Sequence, residues 1–560
     1  MLNFLIALLA AHATLASAKT VTYDFDIGWV TAAPDGYSRQ VIGINGQWPV
    51  PMIEADLGDT IVVTAHNSLG NQATSLHFHG MFQQGTQQSD GPVSLTQCAI
   101  QPGDSYTYTF IANPAGTHWY HSHNKGQYPD GLRGKMVIHD KTWESSLNID
   151  SQMTFSMSDW HVALSVGLQQ MSDIINDYVS PSNTDGSFAS PDSILWNDKK
   201  QAQNIQIAAG KRYLLRIVNV GGLACGQFHI EGYTLSVVEV DGVQVQPQNA
   251  DTIVICAGQS YGVVVQGKSS SLGSSANANY IVKLSTDMFT QGIPPTSQIT
   301  IIGNIVQSLL GSLLSIITNL LSLSWVPAAT FDDFNLKPLD GQKLLSPVDN
   351  KIELSTNQTY YSGIGTRIGL GPQPWVPAKV PSLFTALSTG DAAMDPATYG
   401  PGVNPWVVKS GQVVQIHLQN PTAYPHPMHL HGHVFQAVAR GTGTWNGDES
   451  SLPSVPLKRD GFVVPANGYI VLRFQANNPG VWFFHCHIDL HLVGGMAATI
   501  VEAPDKLQGQ SISSASKGIC GSKPSSGNCN AGSGAISASS AASQCNNVLN
   551  FKGPYNAVVS

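Results

Sequence analysis

Charge is scarce in this 560-residue chain. Asp, Glu, Lys and Arg together make up 11% of it, against roughly 25% in an ordinary soluble domain. The formal net charge is −9 and the Lys and Arg residues form no cluster, which argues against a polyanion such as nucleic acid as partner. Cysteine is sparse and odd in number, 7, so one thiol is left for a task other than a disulfide. The C-terminal stretch NFKGPYNAVVS is too polar for a GPI signal or a membrane span. Long helical patterns are missing between the strand-like runs, which points away from α/β architectures.

The apolar fraction, 42%, is that of a globular protein, and the length suits about three domains rather than one core. The start, MLNFLIALLAAHATLASA, sets an apolar run ahead of the small-residue site Ala16-Ser17-Ala18. That is the pattern of a signal peptide over residues 1–18, though without a basic leader, and it implies a secreted, extracellular protein in a disulfide-permissive compartment. β-rich runs follow in three blocks: VTYDFDIGWV, TIVVTAHN and SYTYTFIA; YLLRIVNV, YTLSVVEVDG and YGVVVQG; VVQIHLQN, HVFQAVARG and YIVLRFQANNPG. They predict an all-β protein of three Greek-key or sandwich units over 19–141, 142–303 and 325–505. Residues 304–323 carry no charge and pair apolar residues at helical spacing, which predicts an amphipathic helical linker over 304–324. The tail, 506–560, is rich in Ser, Gly and Ala. A monomer with no membrane span is expected, and Asn357-Gln-Thr is a weak N-glycosylation signal.

Histidine is the residue present in excess of any structural need. There are 18, and most are grouped: His77 and His79 in LHFHG, His121 and His123 in HWYHSH, His426, His429, His431 and His433 in HPMHLHGH, and His485, His487 and His491 around Cys486 in FFHCHIDLHLVGGM. In a strand, residues i and i+2 face the same side, so each H-x-H offers two imidazoles to one place. More than ten convergent donors exceed a single tetrahedral zinc site. A Cys–His–His set with a Met shortly after it has the donors of blue copper.

With these motifs in this order, the chain resembles the multicopper oxidases over most of its length. The resemblance implies three cupredoxin-like Greek-key β-barrel domains and copper of three kinds. A type 1 ion would take His426, Cys486 and His491, with Met496 axial. A type 2 ion would take His77 and His429. A type 3 pair would take His79, His121, His123, His431, His485 and His487. His433 matches no ligand position. Because His485 and His487 flank Cys486, a short covalent path links the site that accepts single electrons from substrate to the site that reduces dioxygen to water. Asp90 (QQSDGP) and Asp489 (HCHID) match acidic positions that the family uses for proton delivery, since reducing dioxygen consumes protons. The structural alternative for each is a turn residue or a neighbour of a ligand.

Within the family the first reading is a laccase, oxidising a small phenol or aromatic amine at the exposed edge of His491, with Asp192 (SPDSILWN) accepting the phenolic proton and lignin phenols among the accessible substrates. The SDWH run at residues 158–161 also resembles laccases. The alternative is a ferroxidase, with Fe(II) as substrate. HFHGMFQQGT and HSHNKGQYPDGLRGKMVIHD resemble fungal iron oxidases, whose iron-binding Glu aligns at about Phe188; Asp287, Asp448 and Glu449 offer substitutes. An ascorbate- or bilirubin-type oxidase and a non-catalytic copper-binding protein complete the set. Cys and Met are too few for storage of a soft metal. By resemblance Cys98 bridges to the C-terminal region, with Cys520 the chosen partner; Cys225 with Cys256 and Cys529 with Cys545 are pairings by neighbourhood. Met496 departs from the Phe or Leu common in fungal laccases, and Pro129 stands where many have a Cys.

Overall fold

The computed structural model describes residues 18–161, 170–268, 278–290, 292–306, 331–362, 364–371, 373–378 and 380–521. The strands Thr60–Asn67 and Ser105–Ile111 bury every second residue, the period that gives a sheet one core face and one wet face. They pair antiparallel, and Thr60–Asn67 also pairs parallel with Thr20–Ala32. The same trio recurs twice. Arg212–Asn219 lies between Ser151–Trp160, parallel, and Ser260–Gln266, antiparallel. Val413–Asn420 lies between Asn350–Tyr361, parallel, and Gly468–Gln475, antiparallel. Each trio belongs to one of two sheets in its unit: four- and four-stranded, then six- and five-stranded twice. The second and third units also share a register shift, between Val237 and Glu239 and between Ala437 and Ala439. The repeat is therefore threefold, whereas histidine spacing alone relates only the first and third units.

The third unit is the common wall. One apolar cluster joins Phe78 and Tyr108 of the first unit to Val481 and Phe483; another joins Phe228 and Ile255 of the second to Met428 and Phe484. Four strands at these contacts are buried at every residue: His77–His79, Gly116–His121, His426–Leu430 and Gly480–Cys486. They carry the H-x-H and H-C-H motifs, so the motifs sit between units rather than on an outer face. Disulfides join Cys98 to Cys520 and Cys225 to Cys256, and Cys486 is free and buried. Cys529 and Cys545 lie outside the described residues.

The helical linker over 304–324 needs correction at its start. Residues 304–306 end the strand Thr300–Val306, which pairs antiparallel with Ala278–Leu284. Sheet pairing overrides the helical spacing of these residues, and residues 307–324 lie outside the described residues. Among the described residues no helix is long and apolar enough to cross a membrane. Asn357 sits half-buried within the strand Asn350–Tyr361 and donates its amide to the Gly371 carbonyl.

Candidate metal centre

Pairing across two sheets brings the histidines together. His77 faces His121 across one strand pair, and His429 faces His485 across another. The two pairs then meet: the His77 ring stacks on His431 at 4.0 Å and the His79 ring on His429 at 3.8 Å. His123 lies 5.3 Å from His485, and His121 lies 5.5 Å from His487. Three all-histidine groups in this cluster bring their ligand atoms within 4.8 Å of one another: His77, His429 and His431; His77, His79 and His121; His123, His431 and His485; a fourth joins His79 and His429 to Asp460. All eight rings come from the first and third units, and none from the second.

Hydrogen bonds decide which nitrogen faces inward. Nδ1 of His77, His121, His429 and His485 lies 2.7–2.9 Å from the carbonyls of Asp90, Ser122, Asp460 and Cys486 respectively. A carbonyl cannot donate, so each Nδ1 carries the proton and each Nε2 is left with its lone pair. Nε2 of His77, His79, His121, His123 and His429 is buried without a hydrogen-bond partner. Each such atom costs about 1–3 kcal/mol, and several together rival the stability of a whole domain, about 5–15 kcal/mol. A shared cation removes that cost, and neutral imidazole is the form that binds one. Burial, reinforced by neighbouring imidazoles, pushes His79, His121, His123, His429, His431 and His485 well below the usual histidine range. Burial brings His487 down to about 3.

The second cluster lies beside the first. Cys486 Sγ is 3.8 Å from His426 Nδ1 and 3.7 Å from His491 Nδ1, and the two Nδ1 atoms are 3.1 Å apart. The Thr422 hydroxyl lies 2.9 Å from His426 Nε2. His491 stands on the short helix Asp489–Val493 and is pushed down to about 3 by burial. Burial also raises the Cys486 thiol, an effect that a bound cation reverses. Met496 is buried; its N–H donates to the His491 carbonyl at 2.9 Å and its carbonyl accepts from Cys486 N–H at 3.1 Å. It is thus tied to both ligand positions through its backbone.

Acids surround the first cluster. Asp90 is fully buried; Oδ2 lies 3.0 Å from His431 Nδ1 and Oδ1 lies 3.3 Å from His77 Nδ1. Burial raises its carboxyl. Asp489 lines a cavity of about 50 Å³ together with His121, His123, His485 and His487. Its carboxyl is pushed up to about 7, first by burial and then by Asp130 and Asp159. His433 pairs with Glu502 at 2.8 Å and belongs to none of the clusters. Asp460 is the acid that the sequence does not reveal. Its Oδ1 lies 3.6 Å from His79 Nε2 and 3.7 Å from His429 Nδ1. In KRDGF it reads as a turn residue before glycine, and no spacing marks it.

A cavity of about 220 Å³ opens on His426 and His491. Asp192 is not among the residues that line it. Asp192 N–H donates to the Trp160 carbonyl at 2.9 Å, and the strand it precedes, Ser193–Trp196, pairs with Ser151–Trp160, so sheet pairing holds it elsewhere. The lining acid is Asp185, exposed at the rim, where bonds from Ser187 hold its carboxyl below the usual range. Phe188 is buried there with its ring 6.0 Å from that of His491, so the aligned position does fall at this edge but carries no ligand atom. Asp287 lines a neighbouring cavity that shares Met288 with this one. Asp448 caps a turn through Ser450, and Glu449 pairs with Arg473 at 2.7 Å.

Known proteins match over the same span. Family profiles described as Multicopper oxidase match residues 26–142, 151–307 and 375–506. The chain is 40% identical over 529 residues to the iron transport multicopper oxidase fetC of Epichloe festucae, covering 90% of this chain and 80% of that one. Among solved structures, that of Fet3p, a multicopper oxidase that functions in iron import, is 31% identical with a TM-score of 0.84 and covers 91% of this chain and 96% of its own. The laccase from Botrytis aclada is 26% identical with a TM-score of 0.76, covering 90% and 91%.

Proposed function

Because the chain belongs to the multicopper oxidase family, we propose that it couples oxidation of Fe(II) to reduction of dioxygen to water. Copper is the cofactor, and bound copper supplies one-electron oxidation at one site and storage of several electrons at the other. We assign His426, Cys486 and His491, with Met496 nearby, to the single ion. His77 and His429 hold a second ion, and His79, His121, His123, His431, His485 and His487 hold the remaining pair. The unpartnered Nε2 atoms support metal in the histidine cluster and the Cys486 surroundings support a separate single ion; the division of the cluster between the second ion and the pair follows the resemblance to the family.

The observation that carries the iron reading is the likeness to iron transport oxidases along nearly the whole chain. This reverses the order of the sequence reading, in which a laccase stood first. The cavity at His491 is compatible: Asp185, Ser187, Thr290, Gln358, Thr422 and Tyr424 line it with polar groups, and oxygen donors suit a small divalent cation. Tyr178, Phe188 and Met288 line the same cavity and support phenol oxidation as a second reading, as does the likeness to the Botrytis laccase.

Around the dioxygen site the protein's own groups handle protons. Asp489 presents a carboxyl to the cavity beside four histidines, where it holds a proton and releases it inward. Asp90 holds His431 through its carboxylate and His77 through its main-chain carbonyl, both at Nδ1. The two disulfides fit an oxidising compartment, and secretion, with cell-wall association, belongs to the proposal; culture medium and wall fractions are where the protein should be found. The deciding experiment compares Fe(II), a methoxyphenol and ascorbate with the copper-loaded protein. The highest kcat/KM is expected for Fe(II); a higher value for the phenol overturns the iron reading and restores the laccase.

A further inference from the structure

The 50 Å³ cavity beside the histidine cluster has a lining of two chemical kinds. Asp489, Lys125, Asn124 and Ser122 make up the polar part of its lining; Trp375, Phe483, Leu492 and Val493 make up the apolar part. The first suits protons. The second suits an apolar gas. Beside the apolar part lies a separate cavity of about 190 Å³, and Trp375 and Val493 line both. Its other sides are Tyr361, Ile364, Pro374 and Val376. The charge that reaches it, Arg367, directs its guanidinium to the carbonyls of Val179, Thr366 and Ile364 at 2.8–3.2 Å. The shared wall is held in place. Trp375 Nε1 donates to Thr499 Oγ1 at 3.2 Å, and its ring lies 5.0 Å from that of Phe483. The Phe483 ring in turn lies 5.0 Å from that of His485 and 5.8 Å from that of His123.

We propose that this 190 Å³ cavity is an apolar antechamber, open to solvent on one side, that takes up dioxygen and passes it across the Trp375–Val493 wall to the cluster. Apolar-lined cavities of about 150 Å³ take up apolar gases such as xenon, and dioxygen shares that chemistry; Tyr361, Ile364, Pro374, Trp375, Val376 and Val493 give this one such a lining. The inference rests on dioxygen as the oxidant of the family and not on which reductant is used.

Xenon is the probe, applied under pressure to crystals of the copper-loaded protein. Wild type should show xenon between Ile364, Val376 and Val493. Ile364→Trp fills the cavity from the side away from the cluster; xenon should be lost, KM for dioxygen should rise several-fold, and KM for the reductant should stay unchanged. Val376→Met fills part of the same space with a flexible side chain and should act in the same direction if the tryptophan variant folds poorly. No xenon in the wild-type cavity, or an unchanged KM for dioxygen in a variant shown to have filled it, overturns the proposal. A failure with Fe(II) as reductant bears only on the iron reading, because KM for dioxygen is measurable with any reductant the enzyme accepts.

Discussion

Asp90 of the first unit holds His431 of the third, with Oδ2 3.0 Å from Nδ1 and both side chains sealed from solvent. Its other oxygen lies 3.3 Å from His77 Nδ1. The hydrogen bond of His77 Nδ1 goes to the Asp90 main-chain carbonyl, 2.7 Å away. One residue therefore holds two rings that stack at 4.0 Å yet come from the first and third units, His431 through its carboxylate and His77 through its backbone.

Asp90→Ala removes the hold on His431 and leaves the backbone bond to His77. Partners that orient metal-binding rings are worth about 10–100-fold in activity or metal affinity, and a loss of that size in dioxygen consumption is expected. The optical signature of the Cys486 site should remain, since Asp90 does not touch it. Wild-type turnover with full metal content would remove Asp90 from the machinery.

Cys486→Ser separates the two sites. The free thiol is 3.7–3.8 Å from two imidazole nitrogens, and a thiolate ligand is the source of blue colour at such a centre. The variant should lose the blue absorption and the oxidation of every reductant, with circular dichroism unchanged. A folded variant that stays blue ends the assignment.

Specificity at the His491 edge is testable with three substitutions. Asp185→Ala should lower kcat/KM for Fe(II) and leave that for phenols near wild type. Phe188→Glu puts a carboxylate where a ring now lies 6.0 Å from His491, and should raise the Fe(II)-to-phenol ratio of kcat/KM. Asp192→Asn should change neither ratio, because Asp192 does not line the cavity. A phenol-selective loss in Asp192→Asn would restore the proton-acceptor role that the sequence suggested.

The Cys98–Cys520 bridge closes a separation of 422 residues. Disulfides over long loops typically contribute about 2–4 kcal/mol by restricting the unfolded chain. Cys520→Ser should therefore lower Tm under oxidising conditions, with activity intact at low temperature. An unchanged Tm would mean that contacts such as Tyr106 OH with Ser516 Oγ, 3.0 Å apart, hold this end without the bridge.

The metal-binding histidines were legible because H-x-H in a strand has few other uses, and strand alternation carried the fold class. Residues that act without a pattern were not. Asp460 reaches its partners only because the strand Gly461–Val464 pairs with His426–Leu430. Asp185 and Asp192 are both turn acids in one irregular stretch, and sheet pairing with Trp160, a long-range contact, chooses between them. Residues 304–306 show the reverse error: their apolar spacing fits a helix, but pairing with Ala278–Leu284 on one side and Ile205–Gln206 on the other claimed them for a sheet. The second unit lacks the histidine motifs, so its kinship to the others emerges from the parallel and antiparallel order of its strands.

The division of the eight-histidine cluster between the first and third units also bears on biosynthesis. His77, His79, His121 and His123 emerge from the ribosome early, but their counterparts begin at His429. The nascent chain therefore carries half a cluster through synthesis of the whole second unit. Completion of the cluster becomes the last act of maturation, possible only after both ends have docked, because every ring from His429 onward is still missing until then.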